Sequence, residues 1–140
     1  MVLSGLLVAF VLNNGGLSPY LCDENNNDFD NFQRYDSDSD TFPHCRRNVS
    51  SGLKKVIYRQ YGIVDHSDYC IDHGISLFAG GNNEQENLWP NLKDNNGQCE
   101  KQGLETELLF KLQNGQIATS EAQIILAEYV ERRKQELYGN

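Results

Sequence analysis

Four cysteines set the first constraint on this chain. Cys22, Cys45, Cys70 and Cys99 are an even number within 140 residues, and no two of them have Cys-x-x-Cys spacing. A zinc cage is therefore disfavoured. An even set in a short chain reads as two disulfides, which persist in oxidising compartments. Three pairings are possible. We favour Cys22–Cys45 with Cys70–Cys99, in which the second bond staples a short strand to the helix after it. Residues 2–12 (VLSGLLVAFVL) have the length and apolarity of a signal-peptide core. No Lys or Arg precedes them and no clean small-x-small cleavage site follows. The alternative is a buried helix or strand. No apolar run approaches the roughly 18 residues of a membrane span. Residues 1–21 are thus expected to be an export signal or apolar N-terminal segment. The mature chain is expected to be secreted or periplasmic, with no stable membrane span. Asn48-Val49-Ser50 is a glycosylation sequon, meaningful only on a eukaryotic secretory route.

Charge is unevenly placed. The chain nets −8, which excludes a generally basic nucleic-acid-coating protein but not an enzyme with one basic groove. Residues 1–40 hold seven acids and a single base, Arg34. Residues 41–60 hold five bases, Arg46, Arg47, Lys54, Lys55 and Arg59, and no acid. That segment is either a phosphate-binding surface or a solvated helix face. Asp36, Asp38 and Asp40 alternate like the start of an EF-hand loop, but Thr41 stands where the turn glycine belongs and Arg47 where the closing Glu belongs.

Periodicity gives the organisation. Residues 13–44 are rich in Asn, Asp, Ser and Gly and read as a loosely held arm, with residues 22–45 as an acidic linker. Compact structure is expected from Arg46, giving a domain over 46–140. Ser50 or Ser51 can cap a helix that carries Leu53, Val56, Ile57 and Tyr61 and ends at Gly62. Tyr69 and Ile71 alternate with Cys70 and Asp72 as in a short strand. Gly80-Gly81-Asn82-Asn83 signals a turn, and a second extended segment runs to Leu88-Trp89-Pro90. Residues 91–98 read as a polar loop. Leu104, Leu108, Leu109 and Leu112 have helical spacing, broken at Asn114-Gly115. Thr119 or Ser120 can cap a last helix, with Ser120 and Gln123 in capping-box register. Ile125, Leu126, Tyr129, Val130 and Leu137 form its stripe, and Arg132, Arg133 and Lys134 suit its final turns. The class is α+β: a short hairpin among flanking helices, stapled by disulfides.

The stretch at 68–90, DYCIDHGISLFAGGNNEQENLWP, holds the candidate chemistry. A carboxylate (Asp72), an imidazole (His73) and a carboxamide (Asn87) can converge at one edge of a hairpin. An imidazole takes a proton from water near neutral pH, and a carboxylate holds a hard divalent cation that offsets transition-state charge.

The pattern Tyr-x-x-Asp-His-x-Ile-Ser-Leu-x-x-Gly-Gly-x-Asn-x-x-x-Asn-Leu-Trp-Pro resembles the core of the HNH endonucleases, of the ββα-metal superfamily. It is most similar to small, apparently secreted bacterial members. The likeness extends from about residue 46 to 137, through 53–63 upstream and Leu104-Glu105 and 115–128 downstream. It implies a ββα-metal core and a metal-dependent endonuclease that cuts phosphodiester bonds with little sequence preference. The divalent cation would be Mg²⁺, or Mn²⁺ or Zn²⁺, and the partner nucleic acid, DNA ahead of RNA. His73 resembles the general base, Asp72 the metal-binding carboxylate, and Asn87 the Asn that braces the loop and orients the base. Arg46, Arg47, Lys54, Lys55 and Arg59 would then hold the phosphate backbone.

Departures stand beside the likeness. The third ligand has no clear match among Asn95, Asn96, Glu100 and Gln102. Lys101-Gln102-Gly103 stands where relatives often have a Lys-Asp pair, Gly74 where they have a larger apolar residue, and Ser76 where Pro is frequent. Glu105 suits a ligand or a helix brace equally. Each site residue also has a structural reading: His73 as a hydrogen-bonded core histidine, Asp72 as a turn cap, Asn87 as a loop brace. Trp89 reads as core, while Asp65-His66 and His44 read as loop. The competing function is a catalytically degenerate, exported binding protein on the same scaffold.

Overall fold

The computed structural model describes residues 16–30, 33–34, 41–42 and 44–139. The apolar stretch at 2–12 and the Asp36, Asp38 and Asp40 series lie outside the described residues. A minimal antiparallel pair, β1 (Gln33–Arg34) and β2 (Thr41–Phe42), comes first. There follow α1 (Ser51–Gln60), β3 (Tyr69–His73), β4 (Leu88–Leu92), α2 (Gln102–Gln113) and α3 (Thr119–Tyr138). The architecture is α+β: three helices around the antiparallel hairpin β3–β4, among the described residues, with two disulfides. None of the described helices is long and apolar enough to cross a membrane.

Local chemistry explains most boundaries. Ser50 Oγ accepts from Leu53 N at 3.0 Å and starts α1, and Gly62 ends its turn at φ +71°. Ile57 and Tyr58 of α1 pack with Ile71 of β3 and Leu88 of β4. Val56, expected on that stripe, is 38% exposed; the buried face leans one residue further, to Tyr58. The hairpin register pairs His73 with Leu88, Asp72 with Trp89, Ile71 with Pro90, Cys70 with Asn91 and Tyr69 with Leu92. β4 thus runs two residues past Pro90, into the expected loop. A two-stranded sheet has only edges, so a proline's missing N–H can face away from the ladder. Between the strands, Gly80 takes φ +93°. A Cβ on Gly81 would lie 1.8 Å from Ile75 O, so only glycine fits there.

A second core joins the loop to the last two helices. Ile75 and Ala79 pack against Leu108 and Leu112 of α2 and against Ala122 and Leu126 of α3. The start of α3 differs from the expected cap. Ala118 is the N-cap, and Glu121 Oε1 accepts from Ala118 N at 3.0 Å, so the acidic side chain alone satisfies the turn. Ala122 faces the core, while Ile125 is 37% exposed. α3 continues to Tyr138, leaving no base in its last turn; Arg133 instead pairs with Glu100 at 2.6 Å and with Glu136 at 3.1 Å.

The polar arm is part of the fold over residues 17–30. Asn82 Nδ2 donates to Pro19 O (3.1 Å) and Leu21 O (3.2 Å), and Asn82 N donates to Tyr20 O (2.9 Å). Cys22 N donates to Gly80 O, and Asp28 O accepts from Arg46 N. Compact structure therefore starts well before Arg46. Backbone hydrogen bonds and a disulfide hold this segment, and a composition poor in aliphatics gives no sign of either. The bonds are Cys22–Cys45 and Cys70–Cys99, with Cα atoms 5.7 and 6.0 Å apart. On the loop-closure argument each contributes about 3.5 kcal/mol.

Candidate active site

Successive residues of a strand face opposite ways. His73 lies on the face of Tyr69 and Ile71, which packs on α1. Asp72 lies on the other face with Trp89 and Asn91, where Asn91 Nδ2 meets Tyr129 Oη of α3 at 3.3 Å. The expected convergence of Asp72, His73 and Asn87 in one pocket is not what the structure shows. Asp72 and His73 are neighbours in the chain with separate surroundings.

His73 is 4% exposed, and its Nε2 lies 2.9 Å from Asn83 Oδ1. Asn83 Nδ2 donates to Asp28 Oδ2 at 3.0 Å and to Arg46 O at 2.8 Å. Those two acceptors fix which way the amide points, so Oδ1 must accept and His73 Nε2 must carry the hydrogen. Nδ1 is then the basic nitrogen, and it has no partner among the described residues. Asp28, Asn83 and His73 form a carboxylate–amide–imidazole series, steadied by Asn48 Nδ2 on Asp28 Oδ1 at 2.7 Å. Burial lowers the pKa of His73 to about 4; the Arg47 and Lys101 charges push the same way, against the Asn83 hydrogen bond and Glu105. The ring is neutral at physiological pH.

Asn87 is committed to backbone. Its Oδ1 accepts from Ile75 N at 2.8 Å, and its Nδ2 donates to Ile75 O at 3.1 Å and Asn82 O at 2.8 Å. Its carbonyl accepts from Gly74 N. It closes the loop between the strands and thereby sets the strand end that carries His73. A Cβ on Gly74 would stand 3.0 Å from Asn87 Oδ1, which accounts for glycine at that departure from the resemblance.

Asp72 faces a lysine. Its Oδ1 is 3.3 Å from Lys101 Nζ, and its Oδ2 accepts from Asn91 Nδ2 at 3.4 Å. Lys101 is fully buried; it also donates to His73 O and, at 3.2 Å, to Gly74 O. Glu105 Oε2 lies 3.6 Å from the same ammonium and accepts from the Ser76 hydroxyl. The resemblance implies a divalent cation beside Asp72, but the ammonium fills the space between the two carboxylates. A second cation there would meet like charge at close range. The residues present do not fit a resident metal at this position. No cluster of three His, Cys, Asp or Glu side chains suited to a metal exists among the described residues. Of the third-ligand candidates, Asn95, Asn96 and Gln102 are exposed and Glu100 is taken by Arg133.

The basic segment lies on the His73 side. A groove of about 480 Å³ runs along α1 and β3, lined by Arg47, Lys54, Lys55, Lys93 and the His66 ring, and by no acidic side chain among the described residues. Arg59 turns into an adjoining hollow with Lys55 and His66. Arg46 is exposed beside it and gives its carbonyl to Asn83. Among the described residues, none of Arg46, Arg47, Lys54, Lys55 and Arg59 forms a salt bridge. His66 stacks on Tyr58 with ring centroids 4.3 Å apart, and His44 Nδ1 contacts Leu77 O.

Sequence reasoning missed Asp28, Asn83 and Lys101. Lys101 left a trace in its i,i+4 spacing from Glu105 just ahead of the leucine periodicity of α2, and Asn83 left one as the Asn after the glycine pair in the resemblance pattern, whereas Asp28 left none. No protein-family model, curated protein or solved structure matches the chain.

Proposed function

We propose that the chain is an endonuclease-like phosphodiester hydrolase with an HNH-like ββα arrangement, β3–β4 followed by α2, acting on nucleic acid with low sequence preference. The observation that carries this reading is a neutral, tautomer-fixed His73 two residues along β3 from Ile71, which lines a cationic groove with no acid among the described residues and whose Arg47 charge reaches the ring. Arg47, Lys54 and Lys55 bind backbone phosphates, a contact that carries no sequence information. His73 Nδ1 takes the proton of a water as its oxygen bonds to phosphorus. The P–O ester bond breaks, and the leaving oxygen is protonated from solvent. Asn83 and Asp28 hold the ring, and Asn87 holds the strand end. The two disulfides support an oxidising compartment outside the cytosol.

A second reading is binding without cleavage, favoured by the 4% exposure of His73. Plasmid and labelled-oligonucleotide digestion, each with Mg²⁺, Mn²⁺ or EDTA, separates the two. The expected result is cutting by wild type and a loss of 100-fold or more in His73→Ala, on the order of a general-base contribution. The rate should be flat from pH 6 to 8, because the ring is already neutral there. Cutting that survives the substitution removes His73 from the mechanism. Binding with no cutting under any of these conditions selects the second reading.

A further inference from the structure

Lys101 breaks two local rules. It is the N-cap of α2, where Ser, Thr, Asp or Asn would accept from the first helical N–H groups, and its side chain makes no cap hydrogen bond. It also sets a cation at the positive end of a helix dipole. In addition it is a fully buried lysine, which is rare without a partner. One observation accounts for these exceptions. Its Nζ is enclosed by four oxygens: Asp72 Oδ1 at 3.3 Å, Glu105 Oε2 at 3.6 Å, Gly74 O at 3.2 Å and His73 O. Two carboxylates and two carbonyls are the donor class of a hard divalent cation.

We propose that the Lys101 ammonium is the built-in cation of this site, standing in the oxygen cage in place of a divalent metal. It ties both carboxylates to the carbonyls of His73 and Gly74, and so sets the strand end from the face opposite the imidazole. Lys101 is thus a positioning residue, and Asp72 is its counter-ion. Metal and lysine compete for the same oxygens, so the wild-type site needs no divalent ion. This goes beyond the hydrolase reading, because it holds whether or not the protein cuts nucleic acid.

The test is thermal unfolding of the full chain in EDTA and in millimolar Mg²⁺, Mn²⁺ or Zn²⁺, with no nucleic acid present. Wild type should show no metal-dependent shift that Asp72→Asn abolishes. Lys101→Ala should melt lower in EDTA and regain about 3 °C or more with one of the metals, as expected when an ion binds only the folded state at several times its Kd. The double variant Asp72→Asn/Lys101→Met should show no such regain. A role confined to packing would leave Lys101→Ala indifferent to every metal, and that result overturns the proposal. So does a rise in the wild-type midpoint that Asp72→Asn abolishes, because a metal would then hold the cage despite the lysine. If Lys101→Ala does not fold, Lys101→Met, which keeps the volume of the stem and removes the charge, carries the same comparison. Because the readout is stability, its failure is separate from a failure to detect cleavage.

Discussion

Burial beside a neutral amide keeps the His73 ring uncharged, and stability should report it. Its pKa falls from 6.5 to about 4, chiefly through burial. The unfolded chain therefore binds a proton near pH 6.5 that the folded chain refuses until about pH 4. Between those values the unfolded state holds more protons, so stability rises with pH. The contribution is complete above the unfolded pKa and is lost as pH falls towards 4. A shift of this size amounts to on the order of 3 kcal/mol in full. His73→Gln keeps an N–H donor for Asn83 but cannot titrate. In urea unfolding at pH 7 and 4.5, wild type should lose about 2 kcal/mol more than this variant. Equal losses would show that the ring is not held neutral. The Asp-His pair was visible in sequence, but its geometry was misread: strand alternation alone sends two adjacent side chains to opposite faces. Asp28 gave no signal, because one aspartate in an Asn/Asp-rich stretch resembles its neighbours until Asn83 is found against it.

At the level of elements, the loop between β3 and β4 is the least forgiving part of the chain. Gly81 lies so close to Ile75 O that a Cβ would sit 1.8 Å from it, and Asn87 bonds the same carbonyl at 3.1 Å. Gly81→Ala must move backbone and so disturb the Asn87 brace. The expected cost is about 2–4 kcal/mol, read as a lower urea midpoint with an unchanged m-value. Gly62→Ala, at a positive φ with nothing within 4 Å of the added carbon, should cost only about 1 kcal/mol. If the two variants lose equally, crowding at Gly81 is not what matters. The helices were legible because leucines and isoleucines at 3.6-residue spacing announce a buried face. Ser50 and Gly62 marked the ends of α1 for the same kind of local reason. The start of α3 was legible to within a residue or two, but its cap was not, since an alanine N-cap gives no signal and Glu121 supplies the bond. The arm was misjudged because hydrogen bonds from Asn82 to Pro19 and Leu21 leave no hydrophobic pattern.

Across the whole molecule, a net charge of −8 opposes the approach of any polyanion. The opposition is long-range, however, and screening confines it to about 8 Å at physiological salt. What remains at contact is the groove, with Arg47, Lys54, Lys55 and Lys93 and no acid lining it among the described residues. Binding should therefore be local and dominated by counterion release. If four cations each meet a phosphate of a duplex, log K against log salt has a slope of about −3.6. Arg47→Ala/Lys55→Ala should reduce that slope by about 2 and weaken binding alike for unrelated sequences. Both residues are exposed, so the melting temperature of the variant should stay near that of wild type. Fluorescence anisotropy with two unrelated labelled duplexes over a salt series gives the slope directly. An unchanged slope in the double variant would move the nucleic-acid surface elsewhere. A slope near zero in wild type would mean that the groove is a solvated helix face, the alternative that the charge run at 41–60 always allowed.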